Sequence, residues 1–204
     1  QIGSSLEYGK TKSPHKEKIM TKKVILLKSV YAKSKLLSTN YCMNAFKKNF
    51  FPVIVLRPYL VYGPGQKIDR LIPFIISKSL TNKTFPCSSG VQLRNFLFVE
   101  DFVKAIFKTL TKKNVNGEII NIGSNNNLKV KKVILMIKNY LNSGKPMFGK
   151  IKLRKDESIK YYPSIKKAKN LINWKPLIQF EKGLIQTIKY YKEKSDKKNI
   201  KKNT

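Results

Sequence analysis

Tyr31 and Lys35 lie four residues apart in a stretch whose apolar residues recur at helical spacing, which predicts that both side chains share one face of a helix. A lysine ammonium close to a tyrosine stabilises the phenolate and lowers a pKa that is about 10 in water. Such a tyrosine can exchange a proton with a sugar hydroxyl or a ketone near neutral pH. The spacing alone also fits a coincidence, because the chain holds 10 tyrosines and many lysines.

Further short motifs surround this pair in a fixed order along the chain. They are Gly3-Ser4-Ser5-x-x-Tyr8-Gly9, Leu56-Arg57-Pro58-x-x-Val61-Tyr62-Gly63-Pro64-Gly65, Gly90-x-Gln92-x-Arg94-Asn95-Phe96 with Val99-Glu100-Asp101, Asn121-Ile122-Gly123-Ser124, and Asn173-Trp174-x-Pro176. Together with the Tyr-x-x-x-Lys pair, they resemble the extended short-chain dehydrogenase/reductase family, specifically its NAD-dependent nucleotide-sugar epimerases, dehydratases and reductases. The resemblance runs from Gln1 to about Tyr191 in the family's order.

The resemblance implies a catalytic set of three residues. Ser4 would hydrogen-bond the reacting sugar oxygen, Tyr31 would act as acid and base, and Lys35 would hold the nicotinamide ribose while tuning Tyr31. The implied step is hydride transfer at a sugar carbon, usually C4, with NAD or NADP as the cofactor.

Further contacts to cofactor and substrate follow from the same resemblance. The cofactor would be contacted by Tyr31, Lys35, Pro58, Tyr59, Leu60 and Val61, and the nucleotide-sugar by Ser4, Ser5, Phe85 and Arg94. Arg94 would grip the diphosphate with its planar fork of donors. Phe85 and Pro86 would line the base pocket, although such a pair also fits simple packing. Arg70 would either contact the sugar nucleotide or lie on the solvated surface. No metal site is expected.

The chain departs from the family's pattern at several positions. This sequence, which starts at Gln1, does not contain the family's glycine-rich turn, which holds the cofactor pyrophosphate at a helix N-terminus. We therefore expect a fragment that holds the C-terminal two-thirds of such an enzyme, without its N-terminal glycine-rich half. Leu60 stands where many epimerases have Asn, and Asn95 replaces the usual Asp of an Arg-Asp-Phe motif.

The residues after Ser4 bear on the type of reaction. The family's dehydratases follow this position with an Asp-Glu pair, which supplies the additional acid and base that dehydration needs. Here Ser5 and Leu6 occupy those places, and Glu7 would point to the opposite face if the segment were extended. The expected function is therefore a nucleotide-sugar epimerase, with an NDP-4-keto-6-deoxy-sugar reductase as the alternative.

The predicted elements alternate between helix and strand. We predict helices over 30–46, 71–80, 101–110, 130–141, 164–172 and 180–191, and strands over 53–56, 96–99 and 118–122. Ser164 is the predicted N-cap of its helix, and His15 is interpreted as a loop histidine. The alternation predicts an α/β fold: an incomplete Rossmann-type doubly wound parallel sheet with a small C-terminal α/β substrate-binding lobe.

This fold divides the sequence into three predicted regions. Residues 1–65 form the second half of the NAD-binding Rossmann domain, and residues 66–191 form mainly the substrate-binding lobe, with segments that return to the Rossmann sheet. Residues 192–204 form a basic tail that we expect to be disordered, because it is too polar to pack.

The formal net charge of +32 comes from 43 Lys and Arg against 11 Asp and Glu. Lysine accompanies an equally heavy use of Asn and Ile, whose codons are A/T-rich, so a base-composition bias explains much of the charge. The alternative of another class is a lysine-rich nucleic-acid-binding module. Its sequence signatures are absent, and the aromatic residues fall at predicted core positions rather than among the basic ones.

The partners and compartment follow from the same observations. Cys42 and Cys87 form no zinc or disulfide pattern, which favours a reducing cytoplasm. The longest apolar stretch, 50–56, is too short to span a bilayer. We expect a nucleotide-sugar substrate, no nucleic acid and no membrane insertion. The resemblance also implies a homodimer for the complete protein, through a helix bundle that includes the Tyr31 helix.

Overall fold

The computed structural model describes residues 1–18, 24–154 and 157–200, without the side chains of Leu26 and 197–200. Short 3₁₀ turns cover Ser5–Tyr8 and Val24–Leu26. The α-helices are α1 (Val30–Asn49), α2 (Leu71–Leu80), α3 (Val99–Thr111), α4 (Val130–Leu141), α5 (Lys166–Ile172) and α6 (Phe180–Ile200). The strands are β1 (Val55–Pro58), β2 (Leu60–Tyr62), β3 (Thr84–Pro86), β4 (Leu93–Phe98), β5 (Ile119–Ile122), β6 (Asn127–Lys129), β7 (Lys145–Met147) and β8 (Lys160–Tyr161).

The parallel sheet that the sequence predicts is confirmed by the pairing of β1 with β5. The two strands run parallel, with Val55 opposite Ile119 and Arg57 opposite Asn121. Ile2 forms a further parallel bridge to Leu56. These short strands, buried at every position except Pro58, are typical of a sheet that is covered on both faces.

Alternate side chains of the two strands pack against different layers of helix. Val55 and Ile119 form one cluster with Met43 of α1. Their neighbours along the strands belong to a second cluster that includes residues from α3 and α5: Leu56, Leu97, Ala105, Val115, Ile120, Ile122, Ala168, Ile172 and Trp174. Helices therefore cover both faces of β1 and β5, as in a doubly wound fold.

The side chains of α1 that pack in the interior are not the apolar residues whose spacing predicts the helix. Its buried side chains are Ala32, Leu36, Thr39 and Met43. The apolar residues Val30, Leu37 and Tyr41, which indicate a helix by their spacing, are 82%, 55% and 78% exposed. Periodicity thus predicts the helix, but it does not decide which row faces the sheet.

Two predicted helix ends are wrong. Ser164 is not an N-cap, because α5 is capped at Ile165 without a side-chain bond and the Ser164 amide donates to the His15 carbonyl over 2.9 Å. The predicted disorder from Lys192 is also wrong as far as Ile200, because α6 continues to that residue. Opposite charges four residues apart, as at Lys192 and Asp196, support this extension. Residues 201–204 lie outside the described part of the chain.

The chain divides into two compact units that alternate along the sequence. The first unit comprises Gln1–Val61, Asn95–Asn127 and Lys160–Leu177, and it holds the β1 and β5 pair with α1, α3 and α5. The second comprises Tyr62–Arg94, Leu128–Ile159 and Ile178–Thr204. In it α2 packs against α4 and α6, and β3 runs parallel to β7. The assignment of a cofactor domain and a substrate lobe stays a prediction.

Candidate active site

The Tyr31 and Lys35 pair lies at the start of α1, in the first unit. The helix begins after Ser29, whose Oγ accepts a hydrogen bond from the Ala32 amide. Lys35 Nζ is 5.7 Å from the centre of the Tyr31 ring and donates a 3.0 Å hydrogen bond to the Ile2 carbonyl. Tyr31 itself is 53% exposed. The two side chains therefore share one face, as predicted, and the phenol is accessible to a ligand.

Ser4 follows the segment that is bridged to β1, and it caps the 3₁₀ turn Ser5–Tyr8. The Gly3 amide donates to the Leu56 carbonyl over 2.8 Å, which fixes the backbone just before Ser4. Ser4 Oγ accepts from the Leu6 amide at 3.2 Å. Because its oxygen is used as an acceptor, the hydroxyl proton of Ser4 can be donated to a ligand. The same turn packs against α1, which carries Tyr31 and Lys35.

Glu7 and Arg57 form an ion pair with both side chains fully buried. Glu7 Oε2 is 2.8 Å from Arg57 Nε and 2.7 Å from Nη2, while Glu7 Oε1 accepts the Ser4 amide at 2.7 Å. The prediction of an extended segment is wrong, because a 3₁₀ turn folds Glu7 back onto Ser4. The Ser4-x-x-Glu7 spacing of a capping box was the available sequence signal.

The segment Pro58–Val61 is held at Tyr59 by both backbone and side chain. The Tyr59 amide donates to the Ile122 carbonyl at 3.0 Å, and its hydroxyl lies 2.7 Å from His15 Nδ1. Burial, followed by the neighbouring phenols of Tyr8 and Tyr161, raises the pKa of Tyr59 far above its usual value. Tyr59 therefore remains neutral and acts as a hydrogen-bonding side chain, not as a base.

His15 is a loop residue, but it is fully enclosed and only 2% exposed. Its Nε2 lies 3.0 Å from the Thr11 carbonyl. Burial lowers the pKa of His15, and the hydrogen bond to the Thr11 carbonyl opposes this effect. A single histidine in a polar, lysine-rich loop carries no periodic or motif signal, so sequence reasoning missed this position.

Asn121 of the Asn-Ile-Gly-Ser motif connects several side chains of the first unit. Its Oδ1 accepts from the Tyr8 hydroxyl at 2.8 Å, and its Nδ2 donates to the His15 carbonyl at 3.0 Å. Its amide donates to Glu17 Oε1 at 3.1 Å. Burial raises the pKa of Glu17, and the bond from Asn121 opposes that rise. The role of this motif is therefore to join the loop around His15 to the end of β5.

The departure at Asn95 has a structural explanation within the first unit. Asn95 Nδ2 donates to the Ser124 carbonyl at 3.0 Å and to Asn127 Oδ1 at 2.8 Å, while its Oδ1 accepts from the Ser124 amide at 2.7 Å. The same Nδ2 also donates to the Asn126 carbonyl at 3.3 Å, and an aspartate, which has no side-chain N–H, could make none of these donated bonds. The Asn95 amide thus supplies donors that this turn uses.

The motifs around Asp101 and Trp174 bond to each other. Trp174 Nε1 donates to the Asp101 carbonyl at 3.0 Å, and the Leu177 amide donates to Asp101 Oδ2 at 3.0 Å. These contacts attach the segment after α5 to the start of α3. Both motifs stabilise the first unit.

The remaining predicted substrate residues, Phe85 and Arg94, belong to the second unit. Phe85 is completely buried and meets Phe74 of α2 edge-on at 6.0 Å, which supports the packing interpretation. Arg94 pairs with Glu157 and donates from Nη1 to the Ser158 carbonyl at 2.8 Å. Arg94 is therefore already paired within the second unit.

The first unit thus gathers most of the predicted site: Ser4, Ser5, Tyr31, Lys35, Pro58, Tyr59, Leu60 and Val61. Within the described residues, no helix is long and apolar enough to cross a bilayer, and no group of three His, Cys, Asp or Glu side chains could hold a metal ion.

Comparison with known proteins gives an independent finding. Residues 1–123 match the model of the NAD dependent epimerase/dehydratase family. The chain is 36% identical over 176 residues to the dTDP-glucose 4,6-dehydratase of Haemophilus influenzae, which covers 80% of this chain and 52% of that protein. It is 34% identical over 170 residues to the human dTDP-D-glucose 4,6-dehydratase, with 80% and 48% covered. The chain therefore spans about half the length of the curated relatives it matches.

Solved structures give the same picture. A dTDP-glucose 4,6-dehydratase from Bacillus anthracis in complex with NAD superposes with a TM-score of 0.83 at 29% identity, covering 96% of this chain and 62% of that one. A UDP-glucuronic acid 4-epimerase from Bacillus cereus, in complex with UDP-glucuronic acid and NAD, gives 0.82 at 26% identity, covering 94% and 60%.

Proposed function

The chain belongs to the NAD-dependent epimerase/dehydratase family, and from that premise we propose that it supplies the acid–base residues of a nucleotide-sugar 4-epimerase. The observation that carries the proposal is the Tyr31 and Lys35 pair on α1, a helix that packs against the turn capped by Ser4. Epimerisation at C4 requires one group that takes up and returns the proton of the sugar hydroxyl. A half-exposed tyrosine beside an ammonium is suited to that task.

Each member of the set has a distinct role in the proposal. Ser4 donates a hydrogen bond from its hydroxyl to the sugar oxygen and keeps its own proton; the Leu6 amide, which donates to Ser4 Oγ, leaves that O–H available. Tyr31 takes the proton of that sugar oxygen and returns it. The Lys35 ammonium lies beside the Tyr31 ring, and its hydrogen bond to the Ile2 carbonyl keeps it in place.

The proposed cofactor is NAD or NADP, and residues of this chain are suited to bind its nicotinamide half. An ammonium has three N–H donors, and the Ile2 carbonyl takes one from Lys35, so two remain for ribose hydroxyls. Pro58–Val61 would lie beside the ring. A bound nicotinamide would supply the hydride acceptor and donor at the sugar carbon. The completed enzyme is a fusion in which the glycine-rich N-terminal half of a family member is joined to Gln1 of this sequence.

Relatives of this chain include proteins named dehydratases, yet its own residues argue against dehydration. Ser5 is buried, and its hydroxyl is neither an effective acid nor an effective base near neutral pH. Leu6 has no ionisable group. Both carboxylate oxygens of Glu7 are engaged, by the Ser4 amide and by Arg57. No residue of this turn is therefore available as the second acid or base.

The same observation favours a second candidate, an NDP-4-keto-6-deoxy-sugar reductase. Reduction of a 4-keto sugar also needs only Ser4, Tyr31, Lys35 and the cofactor, so the missing acid–base pair does not separate it from an epimerase. Either enzyme would act on a nucleotide-sugar in the cytoplasm as a homodimer, without nucleic acid as a partner.

Replacing Tyr31 with Phe in the completed enzyme tests the proposal. The change removes the proton-transfer group but keeps the ring, so turnover should fall by about 10²–10⁴-fold while the affinity for the nucleotide-sugar stays near that of the wild type. Tyr140→Phe is the matched control, because Tyr140 on α4 is 50% exposed, close to the 53% of Tyr31, and belongs to no proposed site. Turnover of Tyr31→Phe within about twofold of the control would reject the catalytic role of Tyr31.

A further inference from the structure

The ring of His15 lies at the centre of an aromatic cluster in the first unit. It stacks on Tyr8, with ring centres 4.7 Å apart and planes 17° apart. Tyr161 meets it edge-on, with centres 4.6 Å apart and an interplanar angle of 75°. The imidazole is therefore fixed in orientation and shielded from water, although the proposed proton transfer does not use it.

The hydrogen bonds of this ring determine its tautomer. The Thr11 carbonyl, 3.0 Å from Nε2, can only accept, so Nε2 carries the proton. In a neutral ring Nδ1 is then an acceptor, and the Tyr59 hydroxyl at 2.7 Å donates to it. Burial, which lowers the pKa of His15, favours the neutral ring.

The groups bonded to or packed against His15 connect it to two segments of the candidate site, Pro58–Val61 and the turn capped by Ser4. Tyr59 lies within Pro58–Val61, and its backbone is already held by the Ile122 carbonyl. The Tyr161 hydroxyl donates to the Ser5 carbonyl at 2.6 Å. Tyr8 ends the turn that Ser4 caps. The buried ring of His15 thus contacts Tyr161, which holds the Ser5 carbonyl, and bonds directly to Tyr59.

We propose that His15, as the neutral Nε2–H tautomer, is a positioning residue that receives the hydrogen bond of Tyr59 and so holds Pro58–Val61 in its working conformation. The positioning role rests on the proposed function, whereas the hydrogen bond between Tyr59 and His15 does not. Protonation would place an N–H on Nδ1, where Tyr59 could no longer donate.

The titratable groups around the ring are few. Tyr8, Tyr59 and Tyr161 pack against it, and Glu17 lies two residues further along the same loop. Arg57 lies over the ring of Tyr8, with its guanidinium carbon 4.8 Å from the ring centre.

Nitrogen NMR of the 204-residue chain tests the hydrogen bond directly, because His15 is its single histidine. We expect a protonated Nε2 and an unprotonated Nδ1 at neutral pH. Tyr59→Phe removes the donor to Nδ1, so it should shift the Nδ1 resonance. Tyr140→Phe, the same change at an exposed tyrosine, should leave that resonance unchanged. A protonated Nδ1 at neutral pH, or an unchanged Nδ1 resonance in Tyr59→Phe, would overturn the proposal.

Kinetics of the completed enzyme test the positioning role. His15→Phe keeps an aromatic ring but loses both hydrogen bonds, so kcat should fall roughly threefold to tenfold with KM for the nucleotide-sugar little changed. His15→Asn offers an acceptor near the place of Nδ1 and should recover part of kcat. Wild-type kcat in His15→Phe, or no recovery in His15→Asn, would overturn the positioning role. A wild-type enzyme inactive on every nucleotide-sugar would instead overturn the proposed function, and the NMR result would still stand.

Discussion

At the scale of single residues, the buried pair of Glu7 and Arg57 should dominate the stability of the first unit. Glu7→Gln keeps an acceptor for the Ser4 amide but removes the carboxylate that pairs directly with the buried Arg57. Breaking such a pair costs about 3–5 kcal/mol in the free energy of unfolding. Urea denaturation of wild type and variant would measure this loss.

The matched control is the exposed pair of Lys167 and Glu118, whose side chains are 27% and 38% exposed. Lys167→Met should change the free energy of unfolding by no more than about 1 kcal/mol, because solvent screens the charges. A Glu7→Gln variant as stable as Lys167→Met would show that the Arg57 charge is compensated by other groups.

His15 should make the stability of the chain depend on pH. Burial lowers the pKa of His15 below its unfolded value of 6.5, so the unfolded chain binds a proton first as the pH falls. The free energy of unfolding therefore decreases below about pH 6.5, by at most about 1.4 kcal/mol per pH unit. The decrease ends below the folded pKa.

Comparison with His15→Phe isolates this effect, because Glu17 and the other carboxyl groups are present in both chains. The raised pKa of Glu17 acts in the opposite direction, since its folded form binds the proton first. Urea midpoints measured between about pH 7.5 and pH 5.5 should fall further in wild type than in the variant. Equal decreases in both proteins would contradict a buried neutral histidine.

Glu7 and His15 also show what local sequence can and cannot predict about the site. The Ser4-x-x-Glu7 spacing indicates a capping box, so the contact between Glu7 and the Ser4 amide could have been predicted. The contact of Glu7 with Arg57 joins residues 50 positions apart and depends on the pairing of Ile2 with β1. The surroundings of His15 depend likewise on Tyr59 and Tyr161, which are distant in sequence.

At the scale of elements, α1 presents an exposed apolar row formed by Val30, Leu37 and Tyr41. We expect this row to form the subunit contact of the completed enzyme, because burying exposed apolar area drives association. Leu37→Asp should therefore shift the enzyme from dimer towards monomer in sedimentation experiments.

Leu110→Asp provides the control for that change, because Leu110 on α3 is also an exposed leucine, at 74% against 55% for Leu37. It should leave the dimer intact. Dissociation by Leu110→Asp with a stable dimer in Leu37→Asp would place the subunit contact on α3 instead.

The elements differ in how well their sequences predict them. The helices α2 and α4 have the predicted bounds, because each combines a strong apolar period with polar residues beyond both ends. In α1 the period indicates a helix, but two apolar rows compete for the sheet and only tertiary packing selects one. In α6 the lysine-rich end contains no apolar row, so hydrophobic periodicity gives no basis for extending the helix beyond Tyr191.

At the scale of the whole molecule, the sequence predicts the α/β class and the return of later segments to the first sheet, but it does not predict which segments return. The first unit draws on Gln1–Val61, Asn95–Asn127 and Lys160–Leu177, which meet through the pairing of β1 with β5 and the packing of α5. Such long-range pairings depend on the whole chain, whereas the alternation of helix and strand is a local property. The predicted Rossmann and substrate regions are consequently simpler than the observed units.

The central claim is that Ser4, Tyr31 and Lys35 support epimerisation or reduction at C4 but not 4,6-dehydration. The most direct measurement is to identify the product in two incubations of the completed enzyme: with NAD and each of the UDP-, GDP-, CDP- and dTDP-hexoses, and with NADH or NADPH and a nucleotide-linked 4-keto-6-deoxy sugar. Because Ser5 and Leu6 stand at the places expected for the dehydratase acid and base and Glu7 is bound to Arg57, we predict a C4 epimer in the first incubation or a reduced sugar in the second. Steady accumulation of a 4-keto-6-deoxy sugar, detected by its absorbance in alkali, would contradict the account.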